Sequence, residues 1–254
     1  MSDPPVVIGI PELDRELAPS LPPGWLALAV GSADSSTHLL AKQFAHAGVG
    51  ESPVHFYTTY ERTEDIARVF GDFGWKTDGV RVVNLAQEYY DRVLSRELEV
   101  SRTRERGIRY SDLAPSKGLD ESTSRTFNLT NRLFADLAAL DGRFRLVLDS
   151  LDFLLEVLEG QSVMTVSRQI RQRAQGLGGR ALLVVQAGIH DAPTIGLLQD
   201  LADLVLEFGI DVVSGELVHS LTIRKVRNHP ERATIVRTRT GAHGLEVVRE
   251  PRVL

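Results

Sequence analysis

Five short apolar runs, each rich in β-branched residues and separated by stretches of helical periodicity, constrain this chain more than any other feature. The runs are Trp25–Val30, Val54–Thr58, Val80–Leu85, Phe144–Leu148 and Ala181–Gln186, bounded by glycine or polar clusters. Runs of that kind suit parallel strands buried on both faces. Helical periodicity occupies Leu39–Ala47, Thr63–Phe73, Phe127–Leu140, Val163–Leu177 and Ile195–Ala202. The alternation predicts an α/β fold with a mostly parallel central sheet flanked by helices. After Asp203 the pattern changes to Leu204–Phe208, Glu216–Arg224, Thr234–Thr238 and Gly244–Val248 with turn residues between, which predicts a C-terminal antiparallel β-meander extending one edge of the sheet. No linker divides the 254 residues into comparable halves, so one domain over 1–254 is expected.

A charged insertion at about 86–125 interrupts this rhythm. It is dense in Arg and Glu and contains Gly107, Pro115 and Gly118. Two readings stand: a solvated, partly helical excursion, or a partner contact through an amphipathic face of Leu85, Tyr89, Tyr90 and Leu94.

The formal net charge of −5 argues against a constitutively basic binder of nucleic acid or membrane surfaces. Without cysteine there are neither disulfides nor thiolate metal sites. The first ten residues lack a basic-then-apolar signal, and no run approaches the roughly 20 apolar residues of a membrane span. A cytoplasmic protein without membrane association is expected.

Between the first strand and the first long helix lies Gly31-Ser-Ala-Asp-Ser-Ser-Thr-His38. At this place a nucleotide-binding chain carries Gly-x-x-x-x-Gly-Lys-Ser/Thr. There the second glycine lets N–H groups wrap phosphates, the lysine neutralises them and the hydroxyl holds magnesium. Here the three places hold Ser36, Thr37 and His38. Losing the lysine removes a contact worth about 1.5–3 kcal/mol, and a serine at the glycine position penalises any positive φ. Free N–H groups and the hydroxyls of Ser35, Ser36 and Thr37 leave weak anion binding open, while Asp34 adds a negative charge. Equally, Asp34 or Ser35 caps a helix that meets no ligand. His38 has no second His or carboxylate nearby at ligand spacing and reads as structural.

The motifs stand in the order Gly9-Ile-Pro-Glu-Leu-Asp14, Leu21-Pro-Pro-Gly24, the loop with Leu40-Ala-Lys-Gln-Phe44 after it, Tyr57-Thr-Thr-Tyr-Glu-Arg-Thr-Glu-Asp-Ile66, and Arg145-Leu-Val-Leu-Asp-Ser-Leu151. In order and spacing they resemble the KaiC-like branch of the RecA superfamily, with its RadA-type recombinases and archaeal KaiC paralogues, over nearly the whole chain apart from the charged insertion. The resemblance implies a RecA-like P-loop NTPase fold and a ring, commonly a hexamer, with ATP bound between subunits. It implies a nucleotide loop at Gly31, Ser35, Ser36, Thr37 and His38, here as a degenerate Walker A. It puts the magnesium-organising aspartate at Asp149. The family's paired glutamates fall on Tyr60 and Glu61, which leaves Glu61 as the catalytic candidate. Leu221-Thr-Ile-Arg-Lys-Val-Arg227 resembles the strand whose Lys-x-Arg reaches the neighbouring subunit's γ-phosphate, so Lys225 and Arg227 are trans nucleotide-binding candidates.

Each has a local alternative. Asp149 also suits a strand-end turn, Glu61 the acidic first turn of a helix, and Lys225 with Arg227 the solvated face of an edge hairpin. Three functions follow. The first is a non-hydrolysing pseudo-ATPase acting as a regulatory or assembly subunit in signalling, motility or transcriptional control, in a homo-oligomeric ring or with an intact KaiC-like ATPase. The second is a slow ATPase using ATP and Mg through an atypical loop. The third, a DNA-binding recombinase paralogue, ranks last. The corresponding loop, Ala187–Pro193, has no Lys or Arg, and Arg168, Arg171 and Arg173 are expected to face solvent.

Overall fold

The computed structural model describes residues 7–105, 129–213 and 216–248. Among them, nine strands form one sheet in the order β3-β2-β4-β5-β1-β6-β7-β8-β9. The strands are β1 (Trp25–Gly31), β2 (Val54–Thr58), β3 (Val80–Asn84), β4 (Arg145–Asp149), β5 (Arg180–Gln186), β6 (Leu204–Val213), β7 (Glu216–Val226), β8 (Thr234–Gly241) and β9 (Gly244–Val247). Strands β3 to β6 of that order run parallel, and β6 through β9 form the antiparallel meander expected at one edge.

Period-two alternation makes two cores from each central strand. In β1, Trp25, Ala27 and Ala29 enter one layer, and Leu26, Leu28 and Val30 the other. The first layer is covered by α1 (Pro11–Leu17), α2 (Thr37–His46) and α3 (Thr63–Asp72), through Leu13, Leu40, Phe44, Ile66 and Phe70. The second is covered by α5 (Leu129–Ala138), α6 (Asp152–Val157), α7 (Gly160–Leu177) and α8 (Ala192–Leu201), through Leu133, Leu154, Ile170 and Leu198.

Helix ends follow local chemistry. Asp191 caps α8, its carboxylate accepting the Thr194 N–H at 2.7 Å. Helix α7 stops at Gly178, which takes the left-handed φ of 67° that a side chain would resist. Helices α1 and α6 are additions to the sequence reading; at seven and six residues they are too short for periodicity to reveal.

The first part of the charged insertion is α4 (Leu85–Glu105). Leu85 is buried, and Tyr89 and Tyr90 meet Phe153 with ring centroids 5.7 Å away, so the start of the expected face packs on α6. The side chain of Leu94, and residues 106–125, lie outside what is described. No described helix is long and apolar enough to cross a membrane.

Candidate functional site

The parallel strands point their carboxyl ends to one edge of the sheet, where open α/β folds gather ligand chemistry. The loop after β1, Thr59–Glu61 after β2, Asp149 at the end of β4 with Ser150 following, and Gln186 at the end of β5 converge there.

Gly31 is required by close approach, because a Cβ there would run into Ser35 Oγ and Thr37 Cγ2. Ser36 adopts φ −86° at the start of α2, so the serine is unstrained and the loop needs no left-handed residue. Contrary to the capping expectation, no side chain caps α2. The Asp34 carboxylate instead accepts the Ser32 hydroxyl at 2.5 Å, a bond that holds its pKa below the usual carboxylate value. The expected open hydroxyls are also altered. Ser35 Oγ and Thr37 Oγ1 bond to each other at 3.2 Å, and Thr37 is buried.

His38 is more than a local structural residue. Its Nδ1 lies 2.6 Å from Asp149 Oδ1, joining residues 111 apart in sequence. Asp149 is 1% exposed, and burial raises its pKa while the His38 bond pulls it back. One turn along α2, Lys42 Nζ lies 2.9 Å from both Glu61 carboxylate oxygens and 3.3 Å from the His38 carbonyl. The Lys42 side chain is only 4% exposed. Tyr60 closes the circuit, its hydroxyl donating to Glu61 Oε1 at 3.0 Å and its ring meeting the His38 ring edge-on at 4.7 Å. Burial, then the charges of Asp149, Glu61 and Asp152, push the Tyr60 hydroxyl pKa far up, so it remains a donor.

The structure thus brings His38, Asp149, Tyr60 and Glu61 together and adds Lys42, which sequence reasoning missed. The signal was present: position 42 is i+4 from His38 and shares the buried face of α2. Asp152 and His190 were also missed. Asp152 accepts the Gln186 N–H at 3.0 and 3.2 Å and lies 2.7 Å from His190 Nε2. A cavity of about 640 Å³ opens between these groups, bounded by His38, Tyr60, Phe153, Glu156 and His190.

Lys225 and Arg227 lie elsewhere. Val226 pairs with Leu204 at the amino end of β6, whereas Gly31 pairs with Phe208, so the two basic residues sit at the opposite edge of the sheet from the loop. Lys225 Nζ donates to the Gln199 and Asp200 carbonyls at the end of α8. Arg227 binds Asp203 Oδ1 at 2.6 Å and the carbonyls of Asp200, Leu201 and Ala202. Two of the three arginines expected to face solvent are engaged instead. Arg171 binds Asp203, and Arg173 binds the carbonyls of Leu137, Ala138 and Leu140; only Arg168 is simply exposed.

Among known proteins, the family model described as "ATPase: KaiC" matches residues 6–252. A solved KaiC-like protein from the hyperthermophilic archaeon Pyrococcus horikoshii OT3 superposes with a TM-score of 0.65 at 19% identity, covering 96% of this chain and 98% of that one. At that identity the likeness speaks for the fold. No curated protein matches.

Proposed function

Because the chain belongs to the KaiC ATPase family, we propose that it is a non-hydrolysing member, working as a regulatory or assembly subunit rather than as a catalyst. The observation that carries this is the direct His38–Asp149 bond. Magnesium takes oxygen ligands in near-octahedral geometry, several of them water, so the few the protein supplies must be oxygens free to face the ion. Here imidazole stands in place of the hydroxyl ligand and bonds directly to the aspartate that would organise the ion. The residues present do not fit magnesium.

They do not fit a nucleotide triphosphate either. Thr37 brings no charge, and the nearest buried cation, Lys42, is committed to Glu61 and the His38 carbonyl. Glu61 in turn is held by Lys42 and Tyr60 and is not free to polarise a water. The two acidic positions inherited from an ATPase site are answered inside the chain by one imidazole and one ammonium.

An assembly role fits a large, well-packed core kept without site chemistry. It extends to a ring of identical subunits or a mixed ring with an intact KaiC-like ATPase. Lys225 and Arg227 would have to leave the α8 carbonyls to reach a neighbour's nucleotide, so docking through other surfaces is expected. The test is phosphate release from Mg-ATP by the purified protein, alone and mixed with an intact paralogue. We expect no release alone and an altered paralogue rate in the mixture. Release that Asp149→Asn abolishes would overturn the proposal.

A further inference from the structure

We infer that the aromatic groove between α2, the turn after α3 and strand β9 is an acid-released clasp: a proton on His46 frees the β8–β9 edge of the sheet while the rest of the fold stays closed.

Strand β9 is the last of the sheet, so its outer edge has no strand beside it. Side chains stand in for one. Gln43, on α2, accepts the Leu245 N–H through Oε1 at 2.7 Å and donates from Nε2 to the Leu245 carbonyl at 3.2 Å, as a residue of a tenth strand would. Trp75 answers the residue two places back, its Nε1 donating to the His243 carbonyl at 3.2 Å. Gly244 between them lies so close that a Cβ would run into Gln43 Oε1 and Trp75 Cζ2. An edge covered in this way is closed to other strands. Trp75 is itself held by its neighbours. Its ring stacks on Phe73, with centroids 4.8 Å apart, and on His46, 5.4 Å away and within 7° of parallel.

His46 is the member of this stack that acid attacks. Its Nδ1 is buried and has no hydrogen-bond partner among the described residues. A neutral ring can leave that nitrogen bare, whereas a charged ring carries an N–H on both nitrogens and would bury a donor unanswered. The surroundings do not favour the charge. Burial holds the ring's pKa below the usual histidine value, and the Lys76 ammonium adds to this against a favourable bond to the Lys76 backbone. From α3 the ring meets Phe70, and on α2 itself Lys42, one turn earlier, is held by Glu61. Around the groove of about 830 Å³ stand Glu12 of α1, His243, and Arg239, which pairs with Glu246 at 3.1 Å. Both carboxylates are partly exposed, so water and salt screen them from the buried nitrogen.

His46 is partly exposed where it borders the groove, so a protonated ring reaches water by swinging off Trp75. Staying would gain a modest cation–π attraction, which is smaller than the loss from an unanswered buried donor. Once Trp75 loses that support, its hold on His243 and Gly244 loosens, and Gln43 alone keeps the edge. The open form binds the proton at the ordinary value and the closed form below it. The clasp is therefore whole above pH 6.5 and opens as pH falls through the closed-form value.

The experiment is amide hydrogen exchange of the whole protein by NMR between pH 7 and 5, corrected for the intrinsic pH dependence of exchange. The reporters are Leu245 and, in the middle of β1 between β5 and β6, Leu28. Leu245 is expected to be less protected than Leu28 at every pH, with its protection falling at least about threefold toward pH 5, within the tenfold per pH unit that one group allows. His46→Gln should abolish that fall, and His55→Gln should leave it, because His55 lies on β2 away from the clasp. The His46 ring signals of the wild-type protein should titrate below pH 6.5, which checks the account without any variant. Leu245 protection that does not change with pH, a fall that His46→Gln retains or His55→Gln removes, exchange of Leu245 in step with Leu28, or a His46 midpoint at or above 6.5 would overturn the inference.

Discussion

His38 Nδ1 stands 2.6 Å from the Oδ1 of Asp149, an aspartate 1% exposed at the end of a central strand. Removing the imidazole takes from a buried carboxyl the hydrogen bond that His38 gives its Oδ1. His38→Ala should therefore cost about 1–3 kcal/mol, measurable as a lower denaturation midpoint with an unchanged slope. Millimolar magnesium should leave the melting temperature of the wild-type protein unmoved.

The Lys42–Glu61 pair should show strong coupling. Lys42 is nearly buried and its ammonium is answered by Glu61. Glu61→Gln alone should be destabilising by about 2–4 kcal/mol, because it leaves a buried charge unpaired. Adding Lys42→Met should recover much of that loss, and a double-mutant cycle on urea unfolding would read the coupling as about 1–3 kcal/mol.

Much of this was legible in the sequence because it follows from periodicity. The parallel strands, the meander after Asp203 and the place of the Gly31–His38 loop between β1 and α2 depend on local patterns of apolar and turn residues, and they stand where expected. The site's wiring was not legible. The partner of His38 is 111 residues away, and that of Lys42 is 19 away on another element. Only the pairing of β1 with β5, of β5 with β4 and of β4 with β2, with α2 packed over them, brings these groups together. The engagement of Arg171 and Arg227 by Asp203 was hidden for the same reason: an arginine on a polar helix face and a carboxylate after another helix have no shared local signature.

Asp203 ties the far edge of the sheet. It is 1% exposed and accepts from the Leu26 N–H, Arg171 and Arg227. Asp203→Asn should cost about 3–5 kcal/mol as two guanidiniums lose their counter-charge. Arg227→Ala leaves Arg171 in place and should cost about 1–3 kcal/mol. Thermal unfolding of the two variants side by side checks the order.

Acid should weaken the fold through His46 and His55. Burial holds both below the usual histidine pKa of 6.5, reinforced at His55 by Arg81, and the Nδ1 of each is buried without a hydrogen-bond partner among the described residues. The unfolded chain therefore takes up these protons first. Stability is whole above pH 6.5 and falls as pH drops toward the folded values. The slope stays below about 1.4 kcal/mol per pH unit per group, and residual solvent access at both sites reduces it. Asp14 and Asp149, whose pKa values are raised by burial, act with the opposite sign as pH falls from their folded values toward 3.8. A His46→Gln/His55→Gln variant should lose less stability between pH 7 and 5.5 than the wild-type protein in matched urea titrations.

Restoring the motif should restore affinity. Ser36→Gly/Thr37→Lys/His38→Thr supplies the flexible residue, the ammonium and the hydroxyl that the loop lacks, and frees Asp149 from the imidazole. Fluorescent nucleotide titrations with magnesium should show affinity raised at least about tenfold over the wild-type protein, the worth of one regained charge-assisted contact.

The central claim is that the His38–Asp149 and Lys42–Glu61 pairs have replaced metal and nucleotide at this edge of the sheet. Calorimetric titration of the wild-type protein with Mg-ATP up to millimolar concentration tests it most directly. No saturable heat is the predicted result. A saturable isotherm in the micromolar range, lost in Asp149→Asn, would contradict it.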